Sequence, residues 1–153
     1  MQLHILAIGK ARAGPEATLC ADYLKRLPFG GSLSESESRL PEGIARQQDE
    51  SQKLLQKIPA KGQSRLVAMD PAGKDISSEA LATLISDWRS LGVNQCFFAI
   101  GGADGHAESL LDRADHKLAF GRAIWPHMLF RVMLAEQLYR AEMIIKRHPY
   151  HRG

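Results

Sequence analysis

The sequence predicts an α/β fold, a three-layer sandwich on a mostly parallel sheet, and three observations predict it. Short apolar runs alternate with amphipathic helical stretches along the whole chain. One run, residues 93–100, is apolar almost throughout, as a strand covered on both faces must be. The runs close on turn-formers such as Gly9, Pro71 and Gly101. At 153 residues the chain fits one domain that buries roughly two-thirds of its unfolded surface.

The elements follow in order. Residues 3–8 are apolar and β-prone, and read as a first strand rather than a signal peptide. Pro15 suits the first turn of a helix to about Leu27, with Leu19, Tyr23, Leu24 and Leu27 on one face. Residues 32–40 alternate serine and glutamate, which predicts a solvent-exposed edge strand or a loop. Residues 42–58 predict an exposed helix anchored by Ile44, Leu54, Leu55 and Ile58. A second buried strand over 64–69 is closed by a turn over 70–74. Ser77 is placed to cap a helix from Ser78 to Leu91, with Gly92 as its stop. After the 93–100 strand come a glycine loop and a short helix to about Ala114. Residues 117–124 predict the last strand, and 128–147 a long helix. Pro149 ends that helix and holds the tail as a stiff extended segment.

Charge is unevenly spread. From Phe120 onward there are six Lys or Arg against two acids, so the net charge of +3 arises in the last 34 residues. Trp125, Phe130, Tyr139 and Tyr150 are interleaved there, a pattern suited to phosphate and bases. A solvated helix face and a solubilising tail are the competing readings. No apolar run reaches the ~20 residues of a membrane span. Cys20 and Cys96 are too far apart in sequence to suggest a disulfide framework or zinc site, so a reduced, cytoplasmic setting is expected. His127, His148 and His151 lack metal-ligand spacing, and no metal is expected.

Ligands of parallel α/β sheets bind beyond the carboxyl ends of the strands. Three segments lie there: Met69-Asp70-Pro71, Gly101-Gly102-Ala103-Asp104-Gly105, and residues 120–127. Neither a Rossmann Gly-x-Gly-x-x-Gly nor a P-loop occurs, which disfavours dinucleotides and triphosphates. Glu136 and Arg140 form an i,i+4 pair that either stabilises the helix surface or presents charge. The tail, Arg147-His148-Pro149-Tyr150-His151-Arg152-Gly153, combines imidazoles, a phenol and guanidiniums, which suits an anionic or nucleobase-containing ligand.

Taken together, Gly101-Gly102-Ala103-Asp104-Gly105, Pro126-His127 with Arg131-Val132, Glu136-Gln137-Leu138-Tyr139-Arg140-Ala141 and the His148-to-Arg152 terminus resemble the ribosomal large-subunit methyltransferase H family. The resemblance spans the whole chain. Ala103-Asp104 and Met128 depart from the Pro-Glu and second proline common in that family. It implies a SPOUT methyltransferase with a C-terminal trefoil knot, working as a homodimer. The implied reaction is S-adenosylmethionine-dependent methylation of N3 of a pseudouridine in the helix 69 loop of 23S rRNA, on the ribosome. By carry-over the cofactor contacts Met69, Gly101, Gly102 and the backbone of Phe120, Gly121, Arg122, Ala123, Ile124 and Trp125. The implied catalytic set is Arg140 and Arg152 for charge, Tyr150 to stack on or hydrogen-bond the base, and His148 or His127 to orient it. Met128, Val132, Ala135 and Met143 offer an apolar stripe for the dimer contact. The rival classes are a non-enzymatic RNA-binding module and a small-molecule methyltransferase.

Overall fold

The computed structural model describes residues 1–59 and 63–152, with His151 and Arg152 described by their backbone alone. Five strands form one sheet: β1 (Gln2–Ile8), β2 (Gly31–Ser36), β3 (Ser64–Asp75), β4 (Gln95–Ile100) and β5 (His116–Ala119). Their order is β2-β1-β4-β3-β5 and every pairing is parallel. The sheet alternates its side chains between two cores, as the twofold period of a strand requires. Leu3, Ile5, Ala7, Cys96, Phe98 and Ile100 enter one core, and Leu6, Ile8, Phe97 and Ala99 the other.

Helices α1 (Pro15–Lys25), α3 (Ser78–Ser90) and α5 (His127–Ile145) cover the first face, with α5 packed against both others. Helices α2 (Ile44–Leu55) and α4 (Glu108–Arg113) cover the second. This is the expected three-layer α/β arrangement, with Ser77 capping α3 through the Ala80 amide. No helix among the described residues is long and apolar enough to cross a membrane.

Several local expectations are corrected. Strand β3 does not stop at a turn after Met69: it resumes pairing at Lys74, and both residues lie opposite Leu118. Residues 70–73 bulge out between them. Gly73 closes the bulge, because a Cβ there would lie 2.7 Å from the Leu118 amide nitrogen. Strand β5 ends at Ala119 rather than running to Ile124, so residues 120–126 are a loop. In α1 the buried face is Cys20, Leu24 and, just beyond, Leu27, while Leu19 is 47% exposed. In α2, Ile44 is 74% exposed and Glu50 and Ser51 are buried with Leu54, the reverse of their polarity.

The long helix ends differently from expectation. Arg147 adopts a left-handed φ of 54°, and the amides of Arg147 and His148 donate to the carbonyls of Ile144 and Met143. That is a Schellman ending, made here without glycine. Pro149 then starts a single 3-10 turn, Pro149–Arg152, instead of an extended tail. The expected dimer stripe is also revised, because Val132, Ala135 and Met143 are buried in the chain's own core.

Arg131 reaches from α5 across the sheet's end. Only 2% exposed, it pairs with Glu35 at 2.6 Å and donates to the carbonyls of Ile8 and Gly9 at 2.8 and 2.7 Å. Removing one partner of a buried pair leaves the others desolvated and unsatisfied. Arg131→Ala is expected to lower stability by about 3 kcal/mol. Arg131→Lys should recover less than half, since one ammonium lacks the guanidinium's fork. Chemical denaturation measures both; a loss under ~1 kcal/mol for the alanine variant would show that the network is dispensable.

Candidate active site

The bulge of β3, the loop after β4 and the loop after β5 converge at the carboxyl end of the sheet. They enclose a cleft of about 280 Å³, near the small end of the range for small-molecule sites, about 300–1,000 Å³. Met69, Gly101, Gly102, Phe120, Gly121, Ala123, Ile124 and Trp125 all line it, together with His127 at the start of α5. Arg122 belongs to the same loop but does not line the cleft. Trp125 is held by its indole N–H, which donates to the Phe120 carbonyl at 3.3 Å.

The glycines play different parts. Gly105 and Gly121 have φ of +72° and +78°, and nothing lies within 4 Å of where a Cβ would stand. Their backbone is therefore open to an approaching ligand, and other residues would be strained there. Gly102 is not open in this sense: its Cβ would point inward, 2.5 Å from Glu50 Oε2 and 3.1 Å from Ile8 Cγ2. Gly102 thus lets the loop lie down on α2.

Helix α2 holds that loop from beneath. Arg46 pairs with Asp104 at 2.7 Å, and Gln47 Nε2 donates to the carbonyls of Asp104 and His106. Ser51 Oγ accepts from the Ala107 amide at 2.8 Å. His106 is buried against the cleft and its Nε2 lies 3.2 and 3.1 Å from the carbonyls of Met69 and Ala99, on adjacent strands. With two acceptors facing it, Nε2 must carry the proton. Burial pushes the imidazole's pKa down, against smaller opposing contributions from those carbonyls and Asp70. Burial also raises the Glu50 carboxyl, partly offset by Arg46.

The remaining sequence candidates gather elsewhere. Arg140 pairs with Glu136 at 2.7 Å, and its guanidinium lies 5.1 Å from the centre of the Tyr150 ring. Tyr150 packs edge-on against Tyr139, and its hydroxyl lies 3.2 Å from Glu136 Oε1 and 3.4 Å from the Tyr23 hydroxyl. His148 Nδ1 accepts from the Tyr150 amide at 3.2 Å. The side chain of Arg152 lies outside the described residues. Arg140, Tyr150 and His148 do not line the cleft. His127 and Arg140 are thirteen residues apart on α5, or about 20 Å along a helix axis. Arg140 thus stands away from the cleft lining, and Phe120 and Gly121 of the cleft share a neighbouring groove with Tyr23 and Glu136 of the cluster.

A family model described as predicted SPOUT methyltransferase matches residues 1–151. Ribosomal RNA large subunit methyltransferase H of Paramagnetospirillum magneticum is 46% identical over 153 residues, covering 99% of each chain. The protein of the same name from Rhodospirillum rubrum is 46% identical over 154 residues, covering all of both chains. That of Novosphingobium aromaticivorans is 42% identical over 155 residues, covering 99% of each. The chain belongs to the SPOUT methyltransferase family.

In this SPOUT methyltransferase, sequence reasoning missed the residues that support the cleft: Arg46, Gln47, Glu50 and His106. Arg46, Gln47 and Glu50 sit in a polar helix that reads as solvated, and His106 stands alone. The usable signal was spacing: Gln47, Glu50, Ser51 and Leu54 recur at three and four residues, one face of a helix. It also missed Tyr23 and Tyr139 as partners of Tyr150.

Two outcomes are expected. Gly102→Ala should lower the thermal midpoint and cofactor affinity together, and adding Glu50→Ala should restore part of both by removing the contact. Equal losses in single and double variants would place the fault in the loop backbone instead. For His106, the folded pKa lies below the ordinary value of 6.5, so its stabilisation is complete above about 6.5. That contribution is lost as the pH falls toward the folded value, because the unfolded chain takes up the proton first. His106→Gln should remove this part of the acid sensitivity below about pH 6.5, as read from denaturation curves of both proteins. Identical pH profiles would sink the assignment.

Proposed function

We propose that the protein methylates large-subunit ribosomal RNA, transferring a methyl group from S-adenosylmethionine to N3 of a pseudouridine in the helix 69 loop of 23S rRNA on the ribosome. It does so as a cytoplasmic homodimer. The observation that carries this reading is the cleft at the strand ends, in a chain 46% identical along its length to a ribosomal RNA large subunit methyltransferase H. The cleft fits the cofactor: it is concave, mostly apolar, and has the open backbone of Gly105 and Gly121 on its walls. The SPOUT family's knot accords with α5, which leaves edge strand β5 and reaches the end of β1 through Arg131.

Bound S-adenosylmethionine supplies an already electrophilic sulfonium methyl. The chain's own work is then to align the acceptor, exclude water and ease loss of the imide proton. Trp125, Ile124 and Phe130 give the cleft an apolar lining. Arg140 and Arg152 provide positive charge that favours the N3 anion. Burial, then bonding to Tyr23 and Glu136, pushes the Tyr150 hydroxyl up, so it serves as a donor or stacking face and not as a base. His148 or His127 orients the base.

The ~20 Å between His127 and Arg140 supports the homodimer: a second copy would bring its cluster to the first copy's cleft. The surface for that contact is the outward face of α5, Leu129 and Met133 leading to Glu136 and Arg140, with exposed Leu19, Ile124 and Trp125 beside it. Arg140→Ala is expected to keep cofactor affinity and lose methyl transfer by about a hundredfold or more. Co-expression with a cleft-blocked Gly121→Trp chain should restore about a quarter of parent activity, because half the dimers are mixed and each has one intact site. No recovery in isolated mixed dimers would place both halves of the site in one chain. A ribosome-binding protein with no transferase activity would return the reading to a non-enzymatic RNA-binding module.

A further inference from the structure

Arg26, at the end of α1, is exposed, yet its guanidinium is held by three aromatic rings. It lies 4.2 Å from the centre of Tyr139, 5.5 Å from Tyr23 and 5.8 Å from Tyr150. Arg140, from α5, lies 5.1 Å from the centre of the same Tyr150 ring. Two guanidiniums from different helices therefore share one phenol. Glu136 pairs with Arg140 and also faces the Tyr150 hydroxyl. Among the described residues no ion pair involves Arg26. The two helix ends are otherwise basic, with Lys25 beside Arg26 and Lys146 and Arg147 beyond α5, against Asp22.

An exposed arginine ordinarily samples many rotamers, and fixing it costs entropy. Stacking on Tyr139 removes much of that freedom before any ligand arrives, which leaves a preset planar fork of donors. Stacked, weakly hydrated guanidiniums suit the phosphates and bases of nucleic acid better than lysine does.

We propose that Arg26 is an RNA-binding residue that, with Arg140, holds a phosphodiester of the substrate next to the base received by Tyr150. This deepens the reading of the protein as an rRNA methyltransferase and rests on it. The pair fixes the strand's backbone, and Tyr150 is then free to meet the base. The contribution of Arg26 is to binding and register and not to the methyl-transfer step, which Arg140 also serves, since a phosphate contact carries no base information.

Two measurements on large ribosomal subunits lacking the modification test this, one of methyl transfer and one of binding without cofactor, across about 50–200 mM salt. Parent methyl transfer comes first: none at all sinks the enzymatic reading, while the binding measurement still decides Arg26. Arg26→Ala is expected to weaken subunit binding and raise KM by about tenfold, with kcat and cofactor affinity retained. The slope of log affinity against log salt should become shallower by about 1. Arg26→Lys should keep the parent slope and lose part of the affinity, because it keeps the charge without the stacked fork. Arg26→Gln gives the same slope test if the alanine variant folds poorly. An unchanged slope in both Arg26→Ala and Arg26→Gln, or loss of cofactor affinity or thermal midpoint in step with RNA binding, would overturn the proposal. Either result would make Arg26 a prop for Tyr139.

Discussion

A guanidinium with almost no solvent contact decides where the longest helix begins. Arg131 joins α5 to the ends of β1 and β2 through Glu35 and the carbonyls of Ile8 and Gly9. Glu35 also accepts from the Ala11 amide at 2.7 Å, so the loop after β1 is tied to the same node. Desolvating a guanidinium is costly, and the cost is offset only where several acceptors meet it in fixed places. The first turns of α5 are thereby pinned, and those turns carry His127 and Phe130 into the cleft. Stability and site geometry depend on one side chain. The same contact takes Arg131 out of the basic surface to which sequence counting had assigned it, and Glu142 is likewise buried and paired with Arg89.

The cleft has a second support on the opposite face of the sheet. Helix α2 is polar because its task is polar: Arg46, Gln47 and Ser51 meet the backbone and side chains of the loop after β4. A loop that opens its backbone to a ligand cannot also satisfy itself by regular pairing. Side chains from beneath supply those bonds. His106 adds a tie between the ends of β3 and β4, and needs a neutral ring with one tautomer to do so. The floor of the cleft is therefore set by hydrogen bonds with specified donors, while its walls are apolar.

Much of this was legible in the sequence, and the rest was hidden for identifiable reasons. Alternation of runs gave the layers, and loops at strand ends gave the residues that line the cleft, because both depend on chain-local patterns. Sidedness was misread where a helix buries polar groups: Glu50 and Ser51 displaced Ile44, since tertiary hydrogen bonding outweighs hydropathy there. Leu19 was misread because a single helical turn fits two phases, and Cys20 took the buried one. The continuation of β3 after Pro71 was invisible because its pairing partner, Leu118, lies far along the chain. The Schellman ending rests on Arg147 in a left-handed conformation, which composition does not suggest for arginine.

The length of α5 then becomes a functional quantity. Pinned at Arg131, the helix runs onward to Arg140, and the turn after it folds Tyr150 back onto Tyr139 and Glu136. A helix is stiff over this span, so His127 and Arg140 stay about 20 Å apart along it. The two groups of residues that the sequence motif joins are kept apart by the fold that displays them. In the proposed function, a second copy brings its cluster to the first copy's cleft. A rigid separation of that kind is what gives a second copy its part in the proposed function: the length of α5 fixes where each chain's cluster stands relative to its own cleft.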